Sequence, residues 1–182
     1  MRGLSRLPLA WIRALGWGMG CVLYVLAVPR RRVASTNLML CFPEHTAQQR
    51  RALVLQNFIY FAQTWLDRSW LWHASPQVTL RRLKLTGEVA QLDGDAPTLI
   101  FAPHFLGMDA GATALSQQVP RNFNTIVTPQ RNEIVDDWIS QGRRRFGNAR
   151  LFTRFDGTKT IVASLRAGEP LYLLPDMNFG PQ

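Results

Sequence analysis

The sequence predicts an α/β protein: a mainly parallel sheet with flanking helices, preceded by an N-terminal membrane-anchoring helix and an amphipathic helical region. Two observations support this prediction. Before Pro76, long segments carry apolar and aromatic residues at helical spacing. After Pro76, short apolar runs alternate with helical segments, and alternating strands and helices form parallel sheets because each helix returns the chain to the same edge. A chain of 182 residues is long enough for one domain with a sizeable core.

The first apolar segment, residues 7–28, contains one charged side chain, Arg13. A membrane-spanning helix needs about 20 apolar residues, so this segment can span a membrane or lie in its interface if Arg13 extends toward the lipid headgroups. A signal peptide and a buried soluble helix are the alternatives. The following Pro29-Arg-Arg-Arg32 and the lack of a small-x-small cleavage pattern favour a retained anchor. We therefore expect an anchor at residues 1–30 and a second domain at residues 31–182.

The formal charge of +9 lies mostly near the N-terminus. Before Glu44, the first acidic residue, there are six arginines: Arg2, Arg6, Arg13, Arg30, Arg31 and Arg32. Arginines that flank an apolar segment favour anionic lipid or phosphate as partners, and no nucleic-acid partner is expected. Because they lie on both flanks, charge alone does not give the orientation of the anchor. Cys21 and Cys41 are not placed like a secreted disulfide framework, which indicates a reducing compartment.

The remaining elements are predicted from periodicity and from turn residues. Residues 33–42 are predicted as a short helix that Pro43 ends. Thr46 is the predicted N-cap of an amphipathic helix over residues 47–72, whose aromatic side chains form either a core or a membrane-interface belt. The later segments are predicted as strand 78–85, strand 98–102, helix 107–118, strand 124–127, helix 134–146, strand 150–152, helix 158–167 and strand 170–174.

The last predicted strand ends only a few residues before Gln182. A parallel sheet whose last strand has just formed has little sequence left to cover it. We therefore expect the sequence to be a fragment of a longer protein, truncated at its C-terminal side.

The centre of the sequence places His104 directly after the apolar run 98–102, and Asp109 five positions later. A continuous apolar run is typical of a buried strand in a sheet covered on both faces. The spacing allows the Asp109 carboxylate to accept a hydrogen bond from one imidazole nitrogen, which leaves the other nitrogen as a base. The pattern His-x4-Asp has little specificity alone, and a histidine after an apolar run is more often structural.

The sequence lacks the usual patterns of an internal nucleophile. There is no Gly-x-Ser-x-Gly motif, and neither cysteine has a histidine at a recognisable spacing. His45 and His73 are not at metal-ligand spacing, so neither a metal nor a cofactor is expected. A histidine–carboxylate pair without a nucleophile of its own would activate a substrate hydroxyl. Direct acyl transfer between two bound substrates is the reaction class that this arrangement favours.

Four blocks of the sequence carry a resemblance to a known family. They are Asn37-Leu-x-Leu-Cys-Phe-Pro43, His104-Phe-Leu-Gly-Met-Asp109, Gly142-Arg-x-Arg145 and Leu174-Pro-Asp-x-x-x-Gly180. With these blocks in this order, the chain resembles the lipid A biosynthesis acyltransferases, the lauroyl/myristoyl family of Gram-negative bacteria. The resemblance implies an inner-membrane enzyme of lipopolysaccharide biosynthesis, with its catalytic part facing the cytoplasm. Such an enzyme transfers a fatty acyl chain from acyl carrier protein to a hydroxyl of a lipid A precursor.

The resemblance also implies catalytic residues. It makes His104 the general base and Asp109 its acid partner, in a dyad that activates the acceptor hydroxyl. Many members of the family carry Glu at the position of Asp109, whereas the related glycerolipid acyltransferases carry Asp. A glycerolipid acyltransferase acting on a lysophosphatidate-like acceptor is therefore one alternative. A non-catalytic, membrane-bound interaction module is the other.

Substrate-binding residues are predicted on the same basis. Arg131, Arg143 and Arg145 lie on or before one predicted helix, and the planar guanidinium suits bidentate recognition of phosphate in the acceptor headgroup or in the donor. Asp176, at the end of the last strand, either contacts substrate or forms a turn. Acyl carrier protein, the lipid A precursor and membrane lipids are the expected partners.

Overall fold

The computed structural model describes residues 1–147, 149–153 and 155–176. In that part of the chain there are seven α-helices and four β-strands. In chain order they are α1 Leu9–Leu26, α2 Val28–Cys41, α3 Ala47–His73, α4 Pro76–Arg82, β1 Leu99–Phe101, α5 Met108–Gln118, β2 Phe123–Ile126, α6 Glu133–Arg143, β3 Ala149–Phe152, α7 Thr158–Arg166 and β4 Leu171–Leu173. Two compact units, Met1–Trp70 and Leu71–Gln182, divide the chain. The anchor expected at residues 1–30 stays a prediction.

Helix α1 is the apolar segment recognised in the sequence. It is 18 residues long and, among the described residues, it is the helix whose length and composition would allow it to cross a membrane. Several of its large apolar side chains are exposed: Trp11, Leu15, Trp17, Val22, Val25 and Leu26. An apolar surface of this kind is consistent with membrane association.

The opposite face of α1 packs closely against α3 within the first unit. Ile12, Gly16 and Gly20 are buried and four residues apart, so they form one stripe along the helix. A Cβ atom at Gly16 would lie 2.8 Å from the Cα of Gln63, and one at Gly20 would lie 2.4 Å from the Cα of Ile59. The two glycines therefore allow the helix backbones to approach each other, as small residues do between membrane helices.

Arg13 has its counter-charge inside the first unit. Its Nη2 lies 3.0 Å from Oδ2 of Asp67, a carboxylate whose side chain is only 9% exposed. The side-chain amide of Gln63 donates to the Arg13 carbonyl at 3.1 Å. The sequence suggested that Arg13 would extend toward lipid headgroups if the segment enters a membrane, and in the structure Arg13 is paired with a carboxylate on α3.

The helix starts in this unit follow capping and proline rules. The Thr46 N–H donates to Oε1 of Gln49 at 2.7 Å, and the Gln49 N–H donates to Oγ1 of Thr46 at 3.2 Å. This reciprocal capping box confirms the predicted start of α3. Helix α2 begins at Val28, five residues before the predicted start. Pro29 lies in its first turn, where a missing N–H costs no hydrogen bond.

The second unit contains a four-stranded sheet with the order β1-β4-β2-β3, in which all paired strands are parallel. This confirms the predicted fold class. Strand β4 lies between β1 and β2, with Tyr172 in register with Ile100 on one side and with Thr125 on the other. Helix α7 packs on the sheet through a buried hydrogen bond of 2.8 Å from the Asn124 amide to the Ser164 hydroxyl.

Arg121 holds the amino ends of β1 and β4 together. The residue is 9% exposed, and its guanidinium donates to the carbonyls of Leu92 and Ala96, which precede β1, at 3.0 and 2.7 Å. It also donates to the carbonyl of Gly168, which precedes β4, at 2.5 Å. Charge-assisted hydrogen bonds are stronger than neutral ones, so this side chain fixes the turns from which both strands start.

The predicted strand 78–85 is wrong, because the chain forms helix α4 there. Pro76 occupies the first turn of α4, a position that favours helix initiation. Thr79, on the inner side of α4, is completely buried and donates its hydroxyl to Oε1 of Gln117 on α5 at 2.7 Å. Packing against α5 therefore uses a helical face, which the short alternation of apolar residues did not reveal.

Strand β1 differs from the expectation of a strand covered on both faces. It pairs with β4 alone, and Leu99 and Phe101 are exposed in the described part of the chain, while Ile100 is partly buried. A continuous apolar run gives no information about which side of an edge strand is covered. The expectation of complete burial was therefore wrong, although the strand itself lies where it was predicted.

We predict that Gly20→Ala destabilises the first unit, whereas Gly18→Ala does not. At Gly20 the added methyl group would overlap the α3 backbone, and overpacking of this kind costs about 1–3 kcal/mol. Nothing lies within 4 Å of a Cβ at Gly18, so alanine there gains about 0.5–1 kcal/mol of helix stability. Thermal unfolding of both full-length variants in detergent measures the difference. Equal unfolding temperatures would contradict the close approach of α1 and α3.

Candidate active site

A cavity of about 400 Å³ lies in the second unit, between α5 and the sheet. Much of its wall is apolar and is formed by side chains of α5 and of the strands: Met108, Ala112, Leu115, Phe123, Ala149 and Leu151. The polar residues that line the same cavity include His104, Asp109, Arg143 and Tyr172. His104 follows β1, so the cavity reaches the carboxyl ends of the strands, where parallel sheets bind their ligands.

His104 is held by the carboxylate of Asp176 through two hydrogen bonds. Nδ1 of the imidazole lies 2.8 Å from Oδ1, and the backbone N–H of His104 donates to Oδ2 at 2.8 Å. The hydrogen bond from the imidazole, followed by that from the backbone N–H, lowers the pKa of the Asp176 carboxyl below its ordinary value. An ionised carboxylate only accepts hydrogen bonds, so Nδ1 of the neutral ring carries the proton and Nε2 carries the lone pair.

Asp109 lies in the first turn of α5 and is bonded to Arg143, in the last turn of α6. The Arg143 Nε donates to Oδ1 of Asp109 at 3.0 Å, and the aspartate side chain is 11% exposed. Each charge lies at the helix end where the macrodipole favours it. The ion pair therefore fixes α5 and α6 relative to each other at the cavity wall.

The structure brings three predicted site residues, His104, Asp109 and Arg143, to one cavity. The acid in contact with Nδ1 is Asp176, whereas the sequence indicated Asp109 as the partner of His104. A catalytic role for Asp109 stays a prediction. Asp176 was predicted as a substrate contact, and its position beside the imidazole was not foreseen.

The other two predicted arginines lie elsewhere in the second unit. Arg131 is exposed in the loop before α6, next to Gln130, which lines the cavity. Arg145 donates from Nη1 to the Leu71 carbonyl at 2.5 Å and from Nη2 to the Ala74 carbonyl. Its partial burial lowers the pKa of its guanidinium. Arg145 therefore stabilises the chain after Trp70, and its contact with phosphate stays a prediction.

Tyr172 is a cavity residue that the sequence did not single out. Burial raises the pKa of its phenol, and the negative charge of Asp109 raises it further. The only available sequence signal was a hydroxyl-bearing side chain inside an apolar strand. Among the described residues, no group of three or more His, Cys, Asp or Glu side chains is arranged to hold a metal ion.

We predict that the neutral His104 ring carries its proton on Nδ1. We also predict that the hydrogen bond from Nδ1 to the Asp176 carboxylate persists at acidic pH. Because the pKa of Asp176 is lowered, its hydrogen bonds with His104 stabilise the folded state fully above the ordinary aspartate pKa of about 3.9. This stabilisation is lost as the pH falls through the lowered pKa. Imidazole ¹⁵N NMR of the full-length protein tests this, with Asp176→Asn as the comparison. A proton on Nε2 of the neutral ring, or a bond lost well above the ordinary aspartate pKa, would contradict the assignment.

Comparison with known proteins places the chain in a family. The family model of the bacterial lipid A biosynthesis acyltransferases matches residues 1–182. The chain is 28% identical over 180 residues to the lipid A biosynthesis lauroyltransferase of Escherichia coli (strain K12). The aligned region covers 97% of this chain and 58% of that relative. It is 32% identical over 155 residues to the myristoyltransferase of that strain, covering 84% of this chain and 47% of the relative.

A third relative is the lipid A biosynthesis palmitoleoyltransferase of the same strain, with 23% identity over 184 residues and coverage of 96% of this chain and 57% of the relative. The chain thus spans about half the length of the curated relatives it matches. Because the family model matches the whole chain, the chain belongs to the bacterial lipid A biosynthesis acyltransferase family.

Proposed function

We propose that the protein transfers a fatty acyl chain from acyl carrier protein to a hydroxyl of a lipid A precursor. The observation that carries the proposal is the juxtaposition of His104, held by a carboxylate at Nδ1, with a largely apolar cavity of about 400 Å³. A cavity of this size lies within the range of about 300–1,000 Å³ for small-molecule sites. Membership of the family supports the same reaction class.

In the proposed reaction, His104 acts as the general base. Nε2 removes the proton of the acceptor hydroxyl as its oxygen attacks the thioester carbonyl carbon of the donor. The new C–O bond forms and the C–S bond breaks, and the imidazolium returns the proton to the departing thiolate. Asp176 keeps the ring oriented and stabilises the positive charge that the imidazole acquires.

Arg143 and Arg131 are the proposed phosphate contacts. Arg143 uses Nε for Asp109, while Nη1 and Nη2 make no hydrogen bond with the described residues. These nitrogens are therefore available to an oxygen of the substrate in the cavity. Arg131 is exposed beside the cavity-lining Gln130, where it would meet a headgroup outside the cavity. A planar guanidinium binds two oxygens of one phosphate, which supports this role for both residues.

The apolar wall supports an acyl chain as the occupant of the cavity. Side chains such as Ala112, Leu115 and Leu151 offer no hydrogen bond, so a polar occupant would lose its hydration there without compensation. Each buried methylene stabilises binding by about 0.8 kcal/mol. A fatty acyl chain placed along this wall would leave its carbonyl group among the polar residues.

We place the protein at the bacterial inner membrane with its catalytic unit on the cytoplasmic side. The exposed apolar side chains of α1 support membrane contact. Arginines before and after α1 would bind anionic headgroups, each contributing about 1 kcal/mol near a charged surface. Membrane lipids, acyl carrier protein and the lipid A precursor are then the partners.

We expect His104→Ala to reduce acyl transfer by about 10²–10⁴-fold, because the acceptor hydroxyl then loses its base. Asp176→Asn should lower kcat by a similar factor, since an amide neither fixes the Nδ1–H tautomer nor stabilises the imidazolium. The assay uses membranes that contain the full-length protein, with lauroyl-acyl carrier protein and a lipid A precursor as substrates. Expression and unfolding temperature are measured for each variant.

Asp93→Asn serves as the matched control, because Asp93 is an exposed carboxylate outside the cavity. Its variant should retain wild-type kcat. Activity that survives His104→Ala would overturn the assignment of the base. If Asp109→Asn abolishes transfer while Asp176→Asn does not, Asp109 is the orienting acid, as the sequence indicated.

The acceptor is identified by mass spectrometry of lipid A and of phospholipids from bacteria with and without the full-length protein. We expect lipid A to lose one secondary acyl chain and the phospholipids to stay unchanged. The alternative of a glycerolipid acyltransferase rests on Asp109, the acid type that the sequence shares with those enzymes. Unchanged lipid A together with altered phospholipids would favour it. No change in either lipid class would favour a non-catalytic module.

A further inference from the structure

Tyr172 carries a hydroxyl that none of the other described residues binds. The residue lies in β4, the strand between β1 and β2, and lines the same cavity as His104. Within the described part of the chain its hydroxyl makes no hydrogen bond. Because Tyr172 lines the cavity and its hydroxyl has no partner among the described residues, the hydroxyl is available to a ligand bound there.

The position of the hydroxyl is fixed by α5. A Cβ atom at Gly111 would lie 3.6 Å from the Tyr172 oxygen, so the hydroxyl lies against the first turns of this helix. Asp109, two residues earlier on α5, is near enough for its charge to act on the phenol. Burial and this charge both raise the pKa of Tyr172, so the phenol keeps its proton at neutral pH and is a donor. A protonated phenol of this kind is a poor base.

We propose, on the basis of the acyl transfer described above, that the Tyr172 hydroxyl donates a hydrogen bond to the acyl carbonyl oxygen as negative charge develops on it. The acceptor oxygen bonds to the carbonyl carbon, its proton passes to Nε2 of His104, and the resulting oxyanion accepts from the phenol. When the C–S bond breaks, the carbonyl re-forms and the thiolate takes the proton from the imidazolium. A fixed donor stabilises such an oxyanion strongly, because it needs no reorganisation during the reaction.

This role explains why a hydroxyl is present at a position that packing alone would fill with phenylalanine. The donor comes from a central strand and is therefore more rigid than one on a loop. It also lines the same cavity as His104, the proposed base. The apolar residues around it strengthen the hydrogen bond by lowering the local dielectric constant.

The test is Tyr172→Phe in the full-length protein, assayed in membranes with lauroyl-acyl carrier protein and a lipid A precursor. We expect kcat to fall by about 10²-fold, the usual effect of removing one oxyanion donor. The KM for the acyl donor should change by less than about threefold, because the bond strengthens only in the transition state. The unfolding temperature should stay the same or rise, since the lost hydroxyl bonds to none of the residues that the structure describes.

Tyr60→Phe is the matched control, because Tyr60 is an exposed residue of α3 whose phenol hydroxyl accepts from the Gln56 side chain. This variant should keep the kcat of the wild type. A Tyr172→Phe variant with wild-type kcat, or one whose lower kcat accompanies a lower unfolding temperature, would overturn the inference while leaving the proposed function intact. Absence of acyl transfer by the wild type would instead overturn the proposed function, and this inference with it.

Discussion

One carboxylate holds the candidate base, and the order of strands in the sheet makes that contact possible. Asp176 accepts from both the backbone N–H and Nδ1 of His104. The two residues are 72 positions apart and meet because β4 lies beside β1 and both strands run in the same direction. At the opposite ends of these strands, Arg121 binds the carbonyls of the turns that precede them. The geometry of the site therefore rests on two clamps, one at each end of a single strand pair.

Most helices and strands could be predicted, because their signals are local. The pair Thr46 and Gln49 begins α3, and Gly168, whose φ is 85°, follows α7. The strand predicted over residues 78–85 is wrong because a short apolar alternation also fits a helix, and Pro76 marks the start of that helix. Exposure of β1 and the close contact at Gly20 depend on neighbours far along the chain. Sequence periodicity identifies the apolar face of a helix or strand, but it does not identify the segment of the chain that packs against that face.

The site shows the same division between local and distant information. His104 and Asp109 could be predicted as site residues because they are close in sequence and have side chains that can act as acids or bases. The structure bonds Arg143 to Asp109, and the phosphate contact expected of Arg143 stays a prediction. The contact of His104 with Asp176 depends on β4 entering the sheet between two earlier strands, which no spacing in the sequence specifies. Tyr172 was not predicted as a site residue, because tyrosine is common in strands and the sequence does not show that it lines the same cavity as His104.

The position of β4 also has a consequence for how the protein is made. It is the last of the four strands along the chain but the second in the sheet, so ribosomal synthesis produces β1, β2 and β3 before the strand that joins them. While β4 is missing, β2 and β3 can pair, but β1 has none of the other described strands as a neighbour. Contacts between distant segments form slowly, because loop-closure entropy opposes them. His104 and Asp176 are therefore brought together in the same step that completes the sheet, and a nascent chain cannot hold an oriented His104 before that step.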